Sequence, residues 1–503
     1  MKKMTWKMRL LGGLVAVSML FAGCAQGVDD ETFEAGVTNT QLESPAADSF
    51  TYSIVTDATG TEQVKIQWPT VVGAGGYLCS VWNVNDPANP EVIVDNETID
   101  GAALYFPLAE DSSYKISVQT LGNEKYNNAG ATEASEYSMN TMIEGIPVPT
   151  TEDVGAFITN YITENAATLA AKRAADPNFE IAFDLEAGAT YTMAETARFD
   201  VQPTRVRGDR LNRPTLLLQS SAHFEPANGL KLKFLNIDAT GLNQTNDALI
   251  IMPEAPANGI KGAKTYLCQK PIRVETCWIN NLGRSLINGG SSPWGVAELR
   301  VADCIIQLNM ACNGAHKTFI NMYGNADSQA FGDSSNNYGG IQNMFFVNST
   351  IYNIFQPEAK KEGSAYFYRG GNADLAGTFG ANAGQFTVRD CTFGRMVPNK
   401  NAADRMCNKD YFIGTFENTI WYDCWRIQKF KQSSAVWSFP NTTFWNVTMD
   451  PDNTDKGLMI LEDPGFGAKY PTKALDFSVA NGGVDFKPSG SYSSSIGDPR
   501  WLE

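Results

Sequence analysis

Along the second half of this chain, a short apolar stretch meets Asn, Asp or Thr, then Cys, Ser or Thr, then a second apolar stretch. The six turn-plus-small pairs are Thr276-Cys277, Asp303-Cys304, Asn348-Ser349, Asp390-Cys391, Asn418-Thr419 and Asn441-Thr442, and a weaker seventh copy runs Phe234-Leu235-Asn236-Ile237. The residues before and after each pair alternate apolar and polar with period two, as in Ile272-Arg273-Val274 and Leu299-Arg300-Val301, which predicts strands. Asn and Asp tolerate a left-handed backbone, so the turn position predicts a tight bend between two strands. The small residue predicts an inward position in a narrow core. The shortest step is 23 residues (419 to 442) and the longest 45 (304 to 349). Units of this length bury their apolar faces by stacking on one another, and stacked turns align their side chains in a ladder.

If each phrase supplies two strands of a coil, the third lies between phrases. Its candidates are 247–252, 285–288, 316–321, 365–369 and 425–430. The predicted fold class is all-β: a right-handed parallel β-helix over 188–503. Ahead of it, 48–145 carries short alternating runs such as Val64-Lys65-Ile66-Gln67-Trp68 and Tyr114-Lys115-Ile116-Ser117-Val118, which read as a β-sandwich with Trp68 and Tyr114 in its core. Ile146-Pro147-Val148-Pro149 reads as a linker. Thr151 followed by Phe157, Ile158, Tyr161 and Ile162 at helical spacing reads as a capped amphipathic helix within 146–187, covering the first coil.

The first residues change the picture of where the chain works. Lys2, Lys3, Lys7 and Arg9 precede an apolar stretch from Leu10 to Phe21, and Phe21-Ala22-Gly23-Cys24 has the form of a lipobox with Phe in place of the more usual Leu. On this reading residues 1–23 are a signal peptide, Cys24 is the lipidation site, and 24–47 is an acidic tether containing Val28-Asp29-Asp30-Glu31. The expected location is the outer membrane, exposed at the cell surface and held by a lipid anchor. The net charge of −16 argues against nucleic acid. Of nine Cys, Cys277, Cys304 and Cys391 take the inward position; Cys268, Cys312, Cys407 and Cys424 could pair in an oxidising compartment, with no connectivity assigned.

The repeat region resembles the pectin-lyase-like superfamily. The sandwich resembles a fibronectin type III module, Tyr114 taking its tyrosine-corner position. Together with Gly208-Asp209-Arg210-Leu211-Asn212-Arg213-Pro214 and the terminal Gly497-Asp498-Pro499-Arg500-Trp501, about 48–503 resembles Bacteroidetes surface lipoproteins carrying DUF4957 and DUF5123 domains. That resemblance implies a place among polysaccharide-utilisation proteins, with extracellular polysaccharide and outer-membrane glycan-uptake proteins as partners. It implies no particular activity.

Chemistry must be argued from sites. Two His in the chain, His223 and His316, without a Ser or Asp motif around them, give little support to triad chemistry. Asp303 and Asp390 mimic a carboxylate pair but occupy the turn position, and are read as ladder residues. Cations near the third strand, Arg284, Lys317, Arg369, Arg395, Arg426 and Lys429, would form a basic row for an anionic polymer, with Tyr323, Tyr366 and Tyr368 as flat faces for sugar rings. Lys317, Arg369 and Lys429 are the catalytic candidates should the protein be a lyase; the other cations and the three Tyr are candidates for ligand binding. Three readings stay open. The first is a protein that binds or presents polysaccharide, pectic polymers among the choices. The second is a uronate lyase working by β-elimination, and the third an adhesive or scaffold shaft. No cofactor or metal is evident; the lyase reading would bring Ca2+ to neutralise the uronate carboxylate. The loops 324–340 and 358–363 are where groove walls would rise.

Overall fold

The structure is a computed structural model describing residues 37–56, 62–244, 247–254, 265–310, 318–323, 339–354, 367–371, 375–381, 383–396, 403–404, 412–424, 435–447, 459–460, 463–466, 475–478, 484–489 and 496–502. Cys24, Lys317, Tyr366, Arg426 and Lys429 lie outside the described residues, as do Cys312, His316 and Cys407. The chain divides into two compact units, 1–143 and 144–503.

In the first unit, two antiparallel sheets make a sandwich. Thr51–Thr56, Glu62–Gln67 and Ala103–Pro107 form one; Glu91–Ile99, Tyr77–Asn83, Ser113–Thr120 and Ser135–Asn140 form the other. Alternate residues of Ser113–Thr120 are buried, and Trp68 and Tyr114 join the core as their spacing predicts. Tyr114 Oη accepts a 3.2 Å hydrogen bond from Ala109 N, tying the strand to the chain five residues before it.

The second unit is a parallel β-helix. Its coils run through three parallel sheets: an eleven-stranded sheet, a ten-stranded sheet and a seven-stranded sheet. In one coil Ile272–Glu275 belongs to the first, Trp278–Leu282 to the second and Ser285–Asn288 to the third. The turn residues Thr276, Asp303, Asn348, Asp390, Asn418 and Asn441 all have φ between 47° and 55°. Their side chains stack as predicted: Asn348 Nδ2 donates to Asp303 Oδ1 (3.2 Å), Asn418 Nδ2 to Asp390 Oδ1 (3.1 Å) and Asn441 Nδ2 to Asn418 Oδ1 (2.8 Å). The next residues, Cys277, Cys304, Ser349, Cys391, Thr419 and Thr442, are fully buried. Each closes the bend by bonding the carbonyl two residues back, from Cys277 Sγ to Glu275 O (3.3 Å) through Thr419 Oγ1 to Glu417 O (2.8 Å). Asp303 and Asp390 are therefore ladder members.

Three details differ from expectation. Ile146 and Pro147, read as linker, lie in the strand Gly145–Pro147, which pairs in parallel with Ile181–Asp184 and extends the eleven-stranded sheet, because the β-helix begins its pairing before residue 188. The helix cap is Asp153, accepting from Ala156 N at 2.9 Å, and not Thr151. Helix α1, Val154–Glu164, buries Val154, Ile158 and Ile162 and sets Phe157 and Tyr161 edge-on to Phe183; helix α2, Ala166–Ala175, follows it. At Gly155 a Cβ would lie 1.9 Å from Glu195 O, so only glycine lets α1 approach the first coil this closely. Finally, Cys268 is a free, buried thiol instead of a disulfide partner, and Cys424 is buried. Burial pushes the Cys268 and Cys277 thiols up to about 12.

Candidate functional site

The segments expected to hold the third strand do so where they are described: Ala248–Ile251, Ser285–Asn288, Ile320–Asn321 and Tyr368–Arg369 all belong to the seven-stranded sheet. Register divides its residues into two rows. Ala197, Phe224, Ile250, Ile287, Ile320 and Tyr368 fall in one, facing the core. Tyr368 is fully buried there, its Oη accepting from Ile341 N at 3.3 Å, so it is packing and not a platform for sugar.

The second row is mostly polar; Arg198 in it is exposed, Glu225 and Arg369 are half-buried, and Asn288 and Asn321 are buried. Arg198 pairs with Glu225 on the first two strands, and Ile251, Asn288, Asn321 and Arg369 follow in register on the later ones. Parallel strands lie about 4.8 Å apart, so the row runs along the solenoid axis with a spacing on the order of one sugar residue. Asn288 Oδ1 and Asn321 Oδ1 cap the bends that follow, accepting from Gly290 N (3.0 Å) and Tyr323 N (3.2 Å). The second bend sets Tyr323 beneath Arg369, whose guanidinium lies 4.0 Å from the ring centroid. Two of the sequence candidates thus meet, with Tyr323 buried under the guanidinium as its support and not open as a flat face for sugar.

The other described cations do not join them. Arg284 precedes its strand and its terminal nitrogen donates to Asn243 O at 2.5 Å in the coil before. Arg395 is a turn residue at φ 56° whose terminal nitrogen donates to Ile354 O at 3.1 Å. Both stitch coil to coil; the expected single basic row does not form from them, because they sit in bends and not on the sheet. His223, which has no motif around it in the sequence, stands 3.4 Å from Glu225, which also pairs with Arg198 at 3.3 Å. Beside them a cavity of about 440 Å3 opens between the cap helices and the first coils, lined by Thr159, Leu169, Arg198, Gln202, Glu225 and Pro253.

A stacked row of cations does exist, on the eleven-stranded sheet: Arg205, Lys231, Arg273 and Arg300 occupy successive strands in register. Glu180 holds both Arg205 and Lys231 at 2.8 Å, Glu298 holds Arg273 at 3.1 Å and Glu275 lies 3.6 Å from Arg300. Arg205 and Lys231 are nearly buried, so these ion pairs are internal to the fold. The signal was present in the sequence as a cation at the same phase of Thr204-Arg205-Val206, Leu230-Lys231-Leu232 and Ile272-Arg273-Val274.

Among the described residues no three His, Cys, Asp or Glu gather where a metal could be held. No described helix is long and apolar enough to cross a membrane.

Comparison with known proteins places two domains on the chain. Residues 189–354 match DUF4957, a domain of unknown function. Residues 3–188 match DUF4992, another domain of unknown function. No curated protein matches the chain. Among solved structures it is similar to a PL6 family alginate lyase, AlyGC, at 11% identity and a TM-score of 0.34, covering 69% of this chain and 45% of that one. The chain thus spans less than half the length of that enzyme.

Proposed function

We propose that this protein binds or presents extracellular polysaccharide along the seven-stranded face of its β-helix. The observation that carries the reading is the row from Arg198 to Arg369: mostly polar side chains on successive strands at sugar-like spacing, ending in the Arg369–Tyr323 stack. An extended glycan laid along the axis would meet Arg198 and Glu225 at one end and Arg369 at the other, with the buried Asn288 and Asn321 shaping the bends between them. The lipobox at Cys24 supports a surface lipoprotein, and the sandwich with its Tyr114 corner supports a fibronectin type III-like spacer that holds the β-helix off the membrane. Outer-membrane glycan-uptake proteins are the expected partners.

A uronate lyase is the second reading, favoured by the contact of Arg369, a neutralising cation, with Tyr323, a hydroxyl acid. One experiment separates the two. The purified chain is incubated, with and without Ca2+, with pectic, alginate and glycosaminoglycan polymers, and both retention on polymer and ultraviolet absorbance of unsaturated uronide are followed. Retention without absorbance, weakened roughly tenfold in Arg369→Ala, is the expected result. Absorbance would establish the lyase; neither retention nor absorbance would overturn both.

A further inference from the structure

The two segments Gly208 to Pro214 and Gly497 to Trp501 lie far apart in sequence, yet both reach one cleft on the ten-stranded sheet. It measures about 690 Å3 and is bounded by Asn212, Arg213, Asn236, Trp278, Asp303 and Arg500. The seven-stranded row contributes nothing to it.

Arg213 is held there by two contacts. Its Nε donates to Thr276 O at 3.1 Å, and its guanidinium lies 4.5 Å from the centroid of Trp278. The ring is itself fixed in a cluster with Ile305, Phe486 and Trp501. With Nε engaged, the two terminal amino groups have no acceptor among the described residues and line the cleft. Burial lowers the Arg213 pKa and nearby Arg500 and Arg210 lower it further, while Asp303 stands on the opposite side of the lining. Arg500 is spoken for: it bonds Asp498 and the carbonyls of Asp303, Cys304 and Asn348. Arg213 is not.

A second group in the cleft asks for the opposite partner. Asn236 is 7% exposed, and its Oδ1 has no hydrogen-bond donor among the described residues. An acceptor left alone at that depth costs on the order of 1–3 kcal/mol unless something donates to it. A planar pair of donors calls for a carboxylate, and a lone acceptor calls for a hydroxyl or amide. Phe477 adds an apolar wall.

We infer that this cleft is a subsite for a hydroxylated carboxylate, a uronic acid residue, whose carboxylate takes the Arg213 fork and whose hydroxyl donates to Asn236. The choice of a sugar acid over another hydroxy acid rests on the polysaccharide reading above; the cleft's need for an anion does not. Its volume suits a few sugar units.

The test is calorimetric titration of the full chain with trigalacturonate and with its methyl ester, which keeps the hydroxyls and removes the charge. The acid should bind and the ester should bind at least tenfold more weakly. Arg213→Ala should lose roughly tenfold or more in affinity, Arg213→Lys should recover part of it because charge returns without the fork, and Asn236→Leu should weaken acid and ester alike. Near-ultraviolet circular dichroism of Trp278 and its neighbours verifies that each variant is folded. Equal affinity for acid and ester, or a folded Arg213→Ala that binds as the parent does, overturns the inference. Polymer retention lost in Arg369→Ala but kept in Arg213→Ala would leave the seven-stranded face standing and remove this subsite alone.

Discussion

Thr350 Oγ1 donates a 2.7 Å hydrogen bond to Asp498 Oδ2, joining a β-helix coil to a residue 148 positions later, and the same hydroxyl accepts from Trp501 Nε1 at 2.6 Å. Asp498 also accepts from Arg500 Nε at 3.0 Å and is completely buried. The last described segment is thereby strapped across the outer face of the ten-stranded sheet, where Trp501 packs with Trp278, Ile305 and Tyr352. Burial works against the Arg500 charge, but the hydrogen bonds and charge of Asp498 outweigh it and raise its pKa.

Asp498→Ala removes the acceptor shared by Thr350 and Arg500 and leaves a largely buried cation unpaired. We expect a loss of about 2–4 kcal/mol in urea unfolding. An unchanged midpoint would mean that the strap contributes nothing to the β-helix.

The ladder can be tested at Asn418, which bonds Asp390 below and Asn441 above at φ 50°. Asn418→Ala loses both bonds and places a Cβ without local polar support in the left-handed region, for a total of about 2–3 kcal/mol. Asn418→Gly loses the bonds alone and should cost roughly half as much. Equal costs would show that the backbone conformation, and not the amide stack, is immaterial.

Thiol chemistry gives a pH dependence with a definite sign. Cys268 and Cys277 have thiols raised from 9.0 to about 12 by burial. The folded state therefore holds protons that the unfolded state releases first, so their contribution is complete below pH 9 and is lost as pH rises toward 12. Unfolding free energy should fall between these limits, and Cys268, Cys277, Cys304 and Cys391 should resist maleimide at about pH 8 until the chain is unfolded. Peptide mapping of labelled sites reads the outcome.

Glu180 is the common partner of Arg205 and Lys231. Glu180→Gln keeps the shape and removes the charge between two nearly buried cations. A loss of about 2–3 kcal/mol is expected in the same urea measurement, and no loss would place these cations' charge compensation elsewhere.

How much of this was legible beforehand depends on whether a residue's role is local. The turn at Asp390 and the inward place of Cys391 follow from a bend and a small side chain, both written in adjacent residues, and the structure has them so. The fates of Tyr368 and Arg284 were not legible. In-out phase on a two-residue strand cannot be read from alternation, and Arg284 turned out to bond the coil before it, 41 residues away.

The sequence alone therefore determined the coil: its strands, its left-handed turn and its small inward residue, because these depend on backbone sterics and on period-two burial. Tertiary structure decided which coils stack in register, and through that register which side chains share a row. It alone brought Arg213 to Trp278, Arg369 to Tyr323 and Asp498 to Thr350. Such contacts depend on loop lengths and strand register, and neither is encoded in the residues that make the contact.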